Sequence, residues 1–237
     1  MASITLWFTL GAVGMALGTL ALAYGFLLVP DSKRREYGVL VAVPGIAVVA
    51  YALMALDMGA LKSAVGGTVF VPRYVDWLLT TPLHILYLGL FAGASTSLVS
   101  RAAGLQAATI VLGLAAAIVG APLKWVLYLV GVVAFAAVVY HAYVPLDAAA
   151  RERDEATFAL YRKLRAFLVV LWLVYPVIWL VGPNALQVMD VETTALVVSY
   201  IDIVAKVGFG LIALNGYVVT ADRDIDIDTP AEATAAD

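Results

Sequence analysis

The chain has 237 residues, of which 64% are hydrophobic and 13% charged, and its mean hydropathy is +0.99. A soluble domain of this length could not bury so much apolar side chain, so the composition predicts a multi-pass protein of the cell membrane, surrounded by the lipid bilayer. The net charge of −3 argues against nucleic acid as a partner, and the absence of cysteine excludes disulfides, thiolate metal sites and cysteine nucleophiles.

Runs of about twenty apolar residues recur along the chain between polar breaks. They are continuous, whereas the strands of a membrane barrel would alternate with a period of two, so all are predicted to be helices. The first run has no basic segment before it and is expected to be a mature helix, not a signal peptide. The sequence therefore predicts an all-α seven-transmembrane-helix bundle with spans at 4–29, 38–57, 70–92, 99–119, 123–145, 165–181 and 193–219.

Basic residues are unevenly shared between the two sides of this bundle. The loops after the first, third and fifth spans carry most of the lysines and arginines, and the other side has only Lys62 and Lys124. The positive-inside rule therefore predicts an extracellular N-terminus and a cytoplasmic C-terminus. Residues 1–220 form the predicted helical domain, and the acidic segment 221–237 is expected to be a disordered cytoplasmic tail.

Four ionisable residues lie inside predicted spans: Arg73 and Asp76 in the third, Asp202 and Lys206 in the seventh. Charges at this depth are costly and usually face a partner or a cavity. Their sum is zero, which predicts that all four meet in one buried cluster. Three interpretations follow: an ion-pair network that fixes helix packing, an ion or proton path, or a lysine used for its chemistry, since a neutral buried amine can form a Schiff base.

Aromatic residues accompany these charges. Trp77 follows Asp76, and Trp172, Tyr175 and Trp179 share one face of the sixth span. Aromatic residues at helical spacing most often serve packing. Flanking a central lysine, however, flat rings would also form a narrow slot for a long, planar, apolar aldehyde.

Three segments, "RYVDWLLTTPL" from Arg73, "LWLVYPVIWLVGP" from Leu171 and "DIVAKVGFG" from Asp202, occur in the third, sixth and seventh spans. In these motifs and over essentially its whole length, the chain resembles the microbial rhodopsins, which are seven-helix retinal proteins. The resemblance implies that Lys206 binds retinal covalently as a protonated Schiff base. It also implies that Asp76 and Asp202 are counter-ions, with Asp76 the proton acceptor after light, and that Arg73 lies on the extracellular side of them.

The resemblance further implies that Tyr51 and Tyr175 hydrogen-bond to Asp202. The remaining residues that it places around retinal are Trp77, Thr81, His84, Thr109, Gly113, Gly131, Phe135, Trp172 and Trp179.

The family divides into ion pumps and photosensors, which differ at positions that carry acids in proton pumps. Tyr87 matches the position of the cytoplasmic proton donor, and a phenol with a pKa near 10 is a poor donor, so recovery after light is expected to be slow. Asn184 and Thr194 replace the carboxylates that release protons. Asp76 argues against a chloride pump, which needs room there for an anion.

Several features are similar to sensory rhodopsin II: the opening "LWFTLGAVGMALGTLA", Gly131, Phe135 and Tyr200. This implies a photoreceptor for phototaxis, not an enzyme, that signals through a two-helix membrane transducer contacted by Tyr200. Ala205 departs from that subgroup, which has a threonine bonded to Tyr175. An alanine at this position is similar to pumps and to middle rhodopsin, so a weak or slow outward proton pump stays an open alternative. A pigment without a partner, a receptor without retinal and homo-oligomerisation also stay open.

His84 lies eight residues after Asp76, where relatives usually carry an aliphatic residue against the polyene. One hypothesis is that it contacts retinal and shifts the absorption or the isomer distribution. The alternative is a histidine satisfied by a backbone carbonyl. His141, near the end of the fifth span, is interpreted as an interfacial residue.

Overall fold

Helices dominate the fold because lipid offers no hydrogen-bond partners, so each spanning segment must satisfy its backbone groups internally. The computed structural model describes residues 2–216. The helices are α1 (Ala2–Leu27), α2 (Arg34–Ala55), α3 (Val71–Phe91), α4 (Thr96–Ile118), α5 (Leu123–Tyr143), the short α6 (Pro145–Arg151), α7 (Glu155–Val181) and α8 (Val191–Ile203).

Beyond α8 the chain stays helical to the end of the described residues. A π-helical segment, Val204–Gly208, is followed by α-helix over 209–216. We call Val191–Gly216 the last span. The π-helical segment contains Lys206, and such local departures from α-geometry are frequent at functional sites.

The long helices form a bundle that closes on itself. Sequential neighbours from α1 to α5 pack against one another, and α1 returns to pack against the last span. Close approach there depends on glycine: a Cβ on Gly18 would lie 2.2 Å from Val207, and one on Gly25 would lie 2.1 Å from Leu214. These contacts hold the last span, and the buried lysine it carries, close against α1.

The two ends of the bundle are built differently. At one, the hairpin end, strands β1 (Ala60–Lys62) and β2 (Thr68–Phe70) pair antiparallel between α2 and α3. The amide of Ala64 donates to the Ile118 carbonyl at 2.8 Å and ties the hairpin to the end of α4. The opposite end carries α6, and we call it the α6 end.

The seven-helix prediction is confirmed, with one boundary clearly wrong. The predicted sixth span, 165–181, is the second part of α7, which begins ten residues earlier at Glu155. Asp154 caps this start by accepting a hydrogen bond from the Thr157 amide at 2.8 Å. The first turns of α7 bury Leu160 and Leu164 and expose charged residues, so they are amphipathic and lie outside the apolar run.

Six helical segments within residues 2–216 are long and apolar enough to cross a membrane. The other predicted span is α3, whose charged and hydroxyl side chains lower its hydropathy; several of them, including Arg73, Asp76 and Thr80, are buried. The predicted tail over 221–237 lies outside the described residues.

Candidate functional site

An ion cluster joins α3 to the last span in the centre of the bundle. The ammonium of Lys206 donates a hydrogen bond to Oδ2 of Asp76 and lies 3.4 Å from Oδ2 of Asp202. All three side chains are at least 97% buried. Two carboxylates and one ammonium leave this cluster with a formal charge of −1 when all are ionised, so a further cation or proton would neutralise it.

The two carboxylates have different surroundings. Both oxygens of Asp202 accept hydrogen bonds: Tyr51 donates at 2.8 Å, Tyr175 at 2.5 Å and the indole of Trp77 at 3.2 Å. For Asp76, Oδ1 is buried without a hydrogen-bond partner. Donors from three helices therefore stabilise negative charge on Asp202, whereas Asp76 keeps one oxygen free.

Arg73 does not join this cluster, contrary to the expectation that all four charges meet. Its guanidinium lies 5.4 Å from the ring centre of Phe8 and 5.7 Å from that of Phe70, towards the hairpin end. Its Nε and Nη2 are buried without a hydrogen-bond partner. Cation–π attraction to the two rings replaces the ion pair that a count of charges suggested.

A cavity of about 160 Å³ lies beside Lys206 and Asp202. Its walls are largely aromatic, and the Trp179 ring is stacked on Tyr128 with centroids 4.7 Å apart. A Cβ added to Gly113 in this wall would meet nothing within 4 Å, so α4 leaves open space there. The residues expected around the chromophore that line the cavity are Trp77, Thr81, His84, Thr109, Gly113, Gly131, Phe135, Trp172, Tyr175 and Trp179; Arg73 lines it as well.

Three of the expected residues do not line this cavity. Asp76 reaches it only through its ion pair with Lys206, and Tyr51 lies behind Asp202. Tyr200 is 68% exposed on the outer surface of the bundle, away from the site.

Gln106 was not among the expected site residues, yet it is buried in the cavity wall. Its Nε2 donates to Thr81 Oγ1 at 3.0 Å, and Thr81 in turn donates to the Trp77 carbonyl at 2.7 Å. The amide oxygen of Gln106 has no hydrogen-bond partner. A lone amide in the apolar run of α4 was the signal that could have identified it.

A second ionic cluster lies at the α6 end, where sequence reasoning expected only loop charges. The buried carboxylate of Asp147 accepts hydrogen bonds from Arg165 of α7 and, at 2.7 Å, from Arg151. The Arg165 guanidinium also lies 4.0 Å from the Tyr143 ring centre. This cluster holds α7 against α6, and α7 carries three aromatic residues of the cavity.

At the hairpin end, polar contacts close the bundle over the cavity. Asn184 donates from Nδ2 to the Thr68 carbonyl at 2.9 Å, and its own carbonyl accepts from the buried Lys124. Asn184 and Thr194 both line the cavity here.

The similarity of this chain to known proteins extends over nearly its whole length. Residues 2–220 match the family model described as bacteriorhodopsin-like protein. The chain is 53% identical to sensory rhodopsin-2 of Haloarcula vallismortis, over 90% of this chain and 91% of that protein, and 38% identical to sensory rhodopsin-2 of Natronomonas pharaonis, over 98% and 100%. The thermophilic rhodopsin from Rubrobacter xylanophilus is 31% identical and superposes with a TM-score of 0.88, covering 92% of this chain and 98% of that one.

Proposed function

Because the chain belongs to the bacteriorhodopsin-like family, we propose that it is a retinal-binding photoreceptor of the sensory rhodopsin II group, embedded in the cell membrane. The observation that carries this function is the Lys206 ammonium, paired with two buried carboxylates at the wall of an aromatic cavity. A lysine so placed is accessible to an aldehyde within the cavity and has counter-charges for the cation that condensation leaves.

The residues present fit retinal. The cavity offers flat aromatic walls for a polyene, open space at Gly113 and one amine, Lys206. Lys206 would hold retinal there, and the group would supply light absorption and a light-driven isomerisation beside the lysine nitrogen. The protein's own residues line the cavity and handle the proton.

We assign the proton-acceptor role to Asp76 and the fixed counter-ion role to Asp202. Asp202 is surrounded by three donors, each of which favours the charged carboxylate. Asp76 contacts Lys206 directly and has a free oxygen, so a proton leaving Lys206 has a short path to it. Thr80, whose hydroxyl donates to the Asp76 carbonyl at 2.8 Å, keeps this turn of α3 in place.

The test compares two lysines. In Lys206→Ala, reconstitution with retinal should give no visible pigment, whereas Lys62→Ala, which removes a lysine from the exposed hairpin, should leave pigment yield and absorption unchanged. A Lys206→Ala protein that still binds retinal covalently would overturn the assignment. Asp76→Asn should shift the absorption and abolish proton transfer to the carboxylate. Carboxyl bands in infrared difference spectra measure this proton transfer.

The orientation and the partner belong to this proposal. We place the hairpin end outside the cell and the α6 end in the cytoplasm, because the lysine and arginine bias of the loops favours it. Tyr200 is an exposed aromatic residue within the last span, so a transmembrane transducer helix could pack against it. Co-purification with a two-helix transducer should be lost in Tyr200→Ala and kept in Tyr140→Ala, which removes another exposed tyrosine from α5.

A slow outward proton pump is the second candidate, and Ala205 is the observation that favours it. It provides no hydroxyl for Tyr175, which instead donates to Asp202. Recording external pH during illumination of vesicles separates the two functions. Sustained acidification at rates of a true pump would contradict the sensor, and a transient signal without net transport would support it.

His84 supports a proposal about colour. Its ring lines the cavity between Trp172 and Phe209, with centroids 6.0 Å and 4.9 Å away. Such a polar ring beside the polyene should influence absorption, so His84→Leu is expected to move the absorption band. An unchanged spectrum and isomer ratio would leave His84 without a role in colour.

A further inference from the structure

The first turns of α7 carry an exposed basic surface at the α6 end. Arg162 and Lys163 are exposed on α7, and the side chain of Arg151, on α6, is 65% exposed. The guanidinium carbons of Arg151 and Arg162 lie 5.0 Å and 5.8 Å from the centre of the same ring, that of Phe158. We call Arg151, Arg162 and Lys163 the basic surface. Like charges held around one ring repel each other, and an anion between them relieves the repulsion.

The ion pairs of this end leave the basic surface short of negative charge. The buried carboxylate of Asp147 is shared between Arg151 and Arg165, so it can neutralise only one of the two. Among the described residues, neither Arg162 nor Lys163 has a carboxylate as an ion-pair partner. Arg162 therefore has an aromatic contact and no counter-charge.

Three more acids lie near the basic surface. Asp154 is committed to the start of α7, where its carboxylate accepts a hydrogen bond from the Thr157 amide at 2.8 Å. Glu152 and Glu155 are exposed. Even with these acids, residues 147–165 hold five lysines and arginines against four carboxylates. Positive charge thus remains for a further anion to neutralise.

A run of acidic residues begins beside this surface. The described chain ends at Gly216, and a Cβ added to Gly216 would lie 2.4 Å from Leu160 of α7. Residues 222–228, "DRDIDID", hold four aspartates and one arginine, and we call them the acidic segment. Asp222 is six residues beyond Gly216, a reach of up to about 20 Å, whereas a helix with its side chains is about 10–12 Å across. The acidic segment can therefore reach any face of the first turns of α7.

We propose that the acidic segment docks on the basic surface of the same chain and provides its missing counter-charge. Lys163 follows Leu160 by three residues and lies on the same side of α7, so it is the first cation that the segment meets. Arg162 lies further round the helix, together with Phe158 and Arg151. The segment thus passes from the end of the last span across α7 to the two arginines.

The order of residues in the acidic segment suits this surface. Asp224, Asp226 and Asp228 alternate with Ile225 and Ile227. In an extended backbone alternate side chains point to opposite faces, so the three carboxylates would share one face, about 7 Å apart. A carboxylate binds a guanidinium group through two parallel hydrogen bonds, which makes arginine its preferred partner. One face of the segment can therefore contact the arginines and the lysine together.

Carbodiimide crosslinking tests this contact, because the reagent joins an amine to a carboxylate where the two touch. In the full chain, in neutral-detergent micelles at low salt, mass spectrometry should find Lys163 joined to an aspartate of the acidic segment. Lys33 is the matched control, since it lies at the same end of the bundle, before α2, and pairs with Glu36 at 3.6 Å. It should give little or no crosslink to the segment.

Substitution of single arginines tests the charge. Arg162→Gln removes one exposed cation that contacts the Phe158 ring, so the fold should be kept. The yield of the Lys163 crosslink should fall about twofold to fivefold, the size of one exposed ion pair. Arg35→Gln removes an exposed arginine from the first turn of α2 and should leave the yield unchanged. In about 1 M sodium chloride, which screens charges beyond about 3 Å, the parent should lose most of the crosslink.

The docking is refuted if Lys163 gives no crosslink to the acidic segment, or if Lys33 reacts with the segment equally well. Equal losses in Arg162→Gln and Arg35→Gln would also overturn it. Mixing ¹⁵N-labelled with unlabelled protein identifies a second copy, because crosslinked peptides of mixed labelling would assign the contact to a neighbouring molecule and contradict docking within one chain. No step needs light or pigment, so these outcomes are independent of the retinal assignment.

Discussion

Tyr51→Phe is the sharpest perturbation of the counter-ion site, because it deletes one hydroxyl and leaves the ring. Tyr51 is fully buried, and its hydroxyl donates to Oδ2 of Asp202 at 2.8 Å. The ring also packs at the edge of Phe8, a contact that phenylalanine preserves. The substitution thus isolates a single hydrogen bond to a buried carboxylate.

The acceptor determines the expected magnitude. A hydrogen bond to a charged group contributes about 1.5–3 kcal/mol to the free energy of unfolding. The matched control is Tyr161→Phe, because Tyr161 is equally buried and donates at 2.7 Å to a neutral backbone carbonyl, that of Ala142. Neutral hydrogen bonds inside membrane proteins average about 0.6 kcal/mol, so the control should lose less by 1 kcal/mol or more, on the order of a charge-assisted bond.

Reversible unfolding in mixed micelles measures both losses. In an Asp202→Asn background the acceptor is neutral, so the loss from Tyr51→Phe should fall to that of the control, and the double-mutant cycle isolates the coupling. Equal losses for Tyr51→Phe and Tyr161→Phe, or no change in the Asn background, would refute the view that Asp202 is held as a charged carboxylate by its donors.

Three further predictions concern regions outside the site, each measured as the free energy of unfolding. Arg165→Ala leaves the buried carboxylate of Asp147 with only the exposed Arg151 as a partner and should cost up to about 3–5 kcal/mol, whereas Arg151→Ala removes a 65% exposed cation from the same carboxylate and should cost about 0–1 kcal/mol; equal costs would contradict the burial argument. Gly18→Ala forces a side chain of the last span to move and should cost about 1–3 kcal/mol, whereas Gly104→Ala meets no atom within 4 Å and should be neutral or stabilising; a neutral Gly18→Ala would show that the helices can separate freely. Asp154→Ala removes a helix cap worth about 1 kcal/mol. Hydrogen bonds from Thr157 hold the pKa of the Asp154 carboxyl below its ordinary value of 3.8. The stabilisation by this cap is therefore present above pH 3.8 and is lost as the pH falls through the lower pKa of the folded state. The parent and Asp154→Ala should therefore converge in acid, and a difference independent of pH would contradict the cap.

Most of the fold could be predicted because lipid leaves the chain few choices. Continuous apolar runs must be helices in a membrane, and seven of them were readable without any tertiary information. The start of α7 was not, since its first turns are amphipathic and resemble a charged loop. Their helical state depends on burying Leu160 and Leu164 against neighbouring helices, which no local pattern reveals.

The ion-pair cluster followed from local rules only in part. The charges of Asp76, Asp202 and Lys206 inside apolar spans predicted a buried meeting point, because charge at that depth needs a partner. Arg73 does not follow this expectation, because its cation lies against the rings of Phe8 and Phe70 and not against a carboxylate. Phe8 and Phe70 are far apart from each other in sequence, so only the folded structure reveals this aromatic site.

By itself, the sequence determined the class of protein, the number of spans and the lysine with its two carboxylates, because hydropathy and buried charge act through composition and spacing alone. Only the tertiary structure decided how those groups differ. It placed three donors on Asp202, left an oxygen of Asp76 free and packed the His84 ring against Trp172 and Phe209 beside the cavity. Hydrogen-bond satisfaction depends on which helices face one another, and that is settled by packing across the whole bundle.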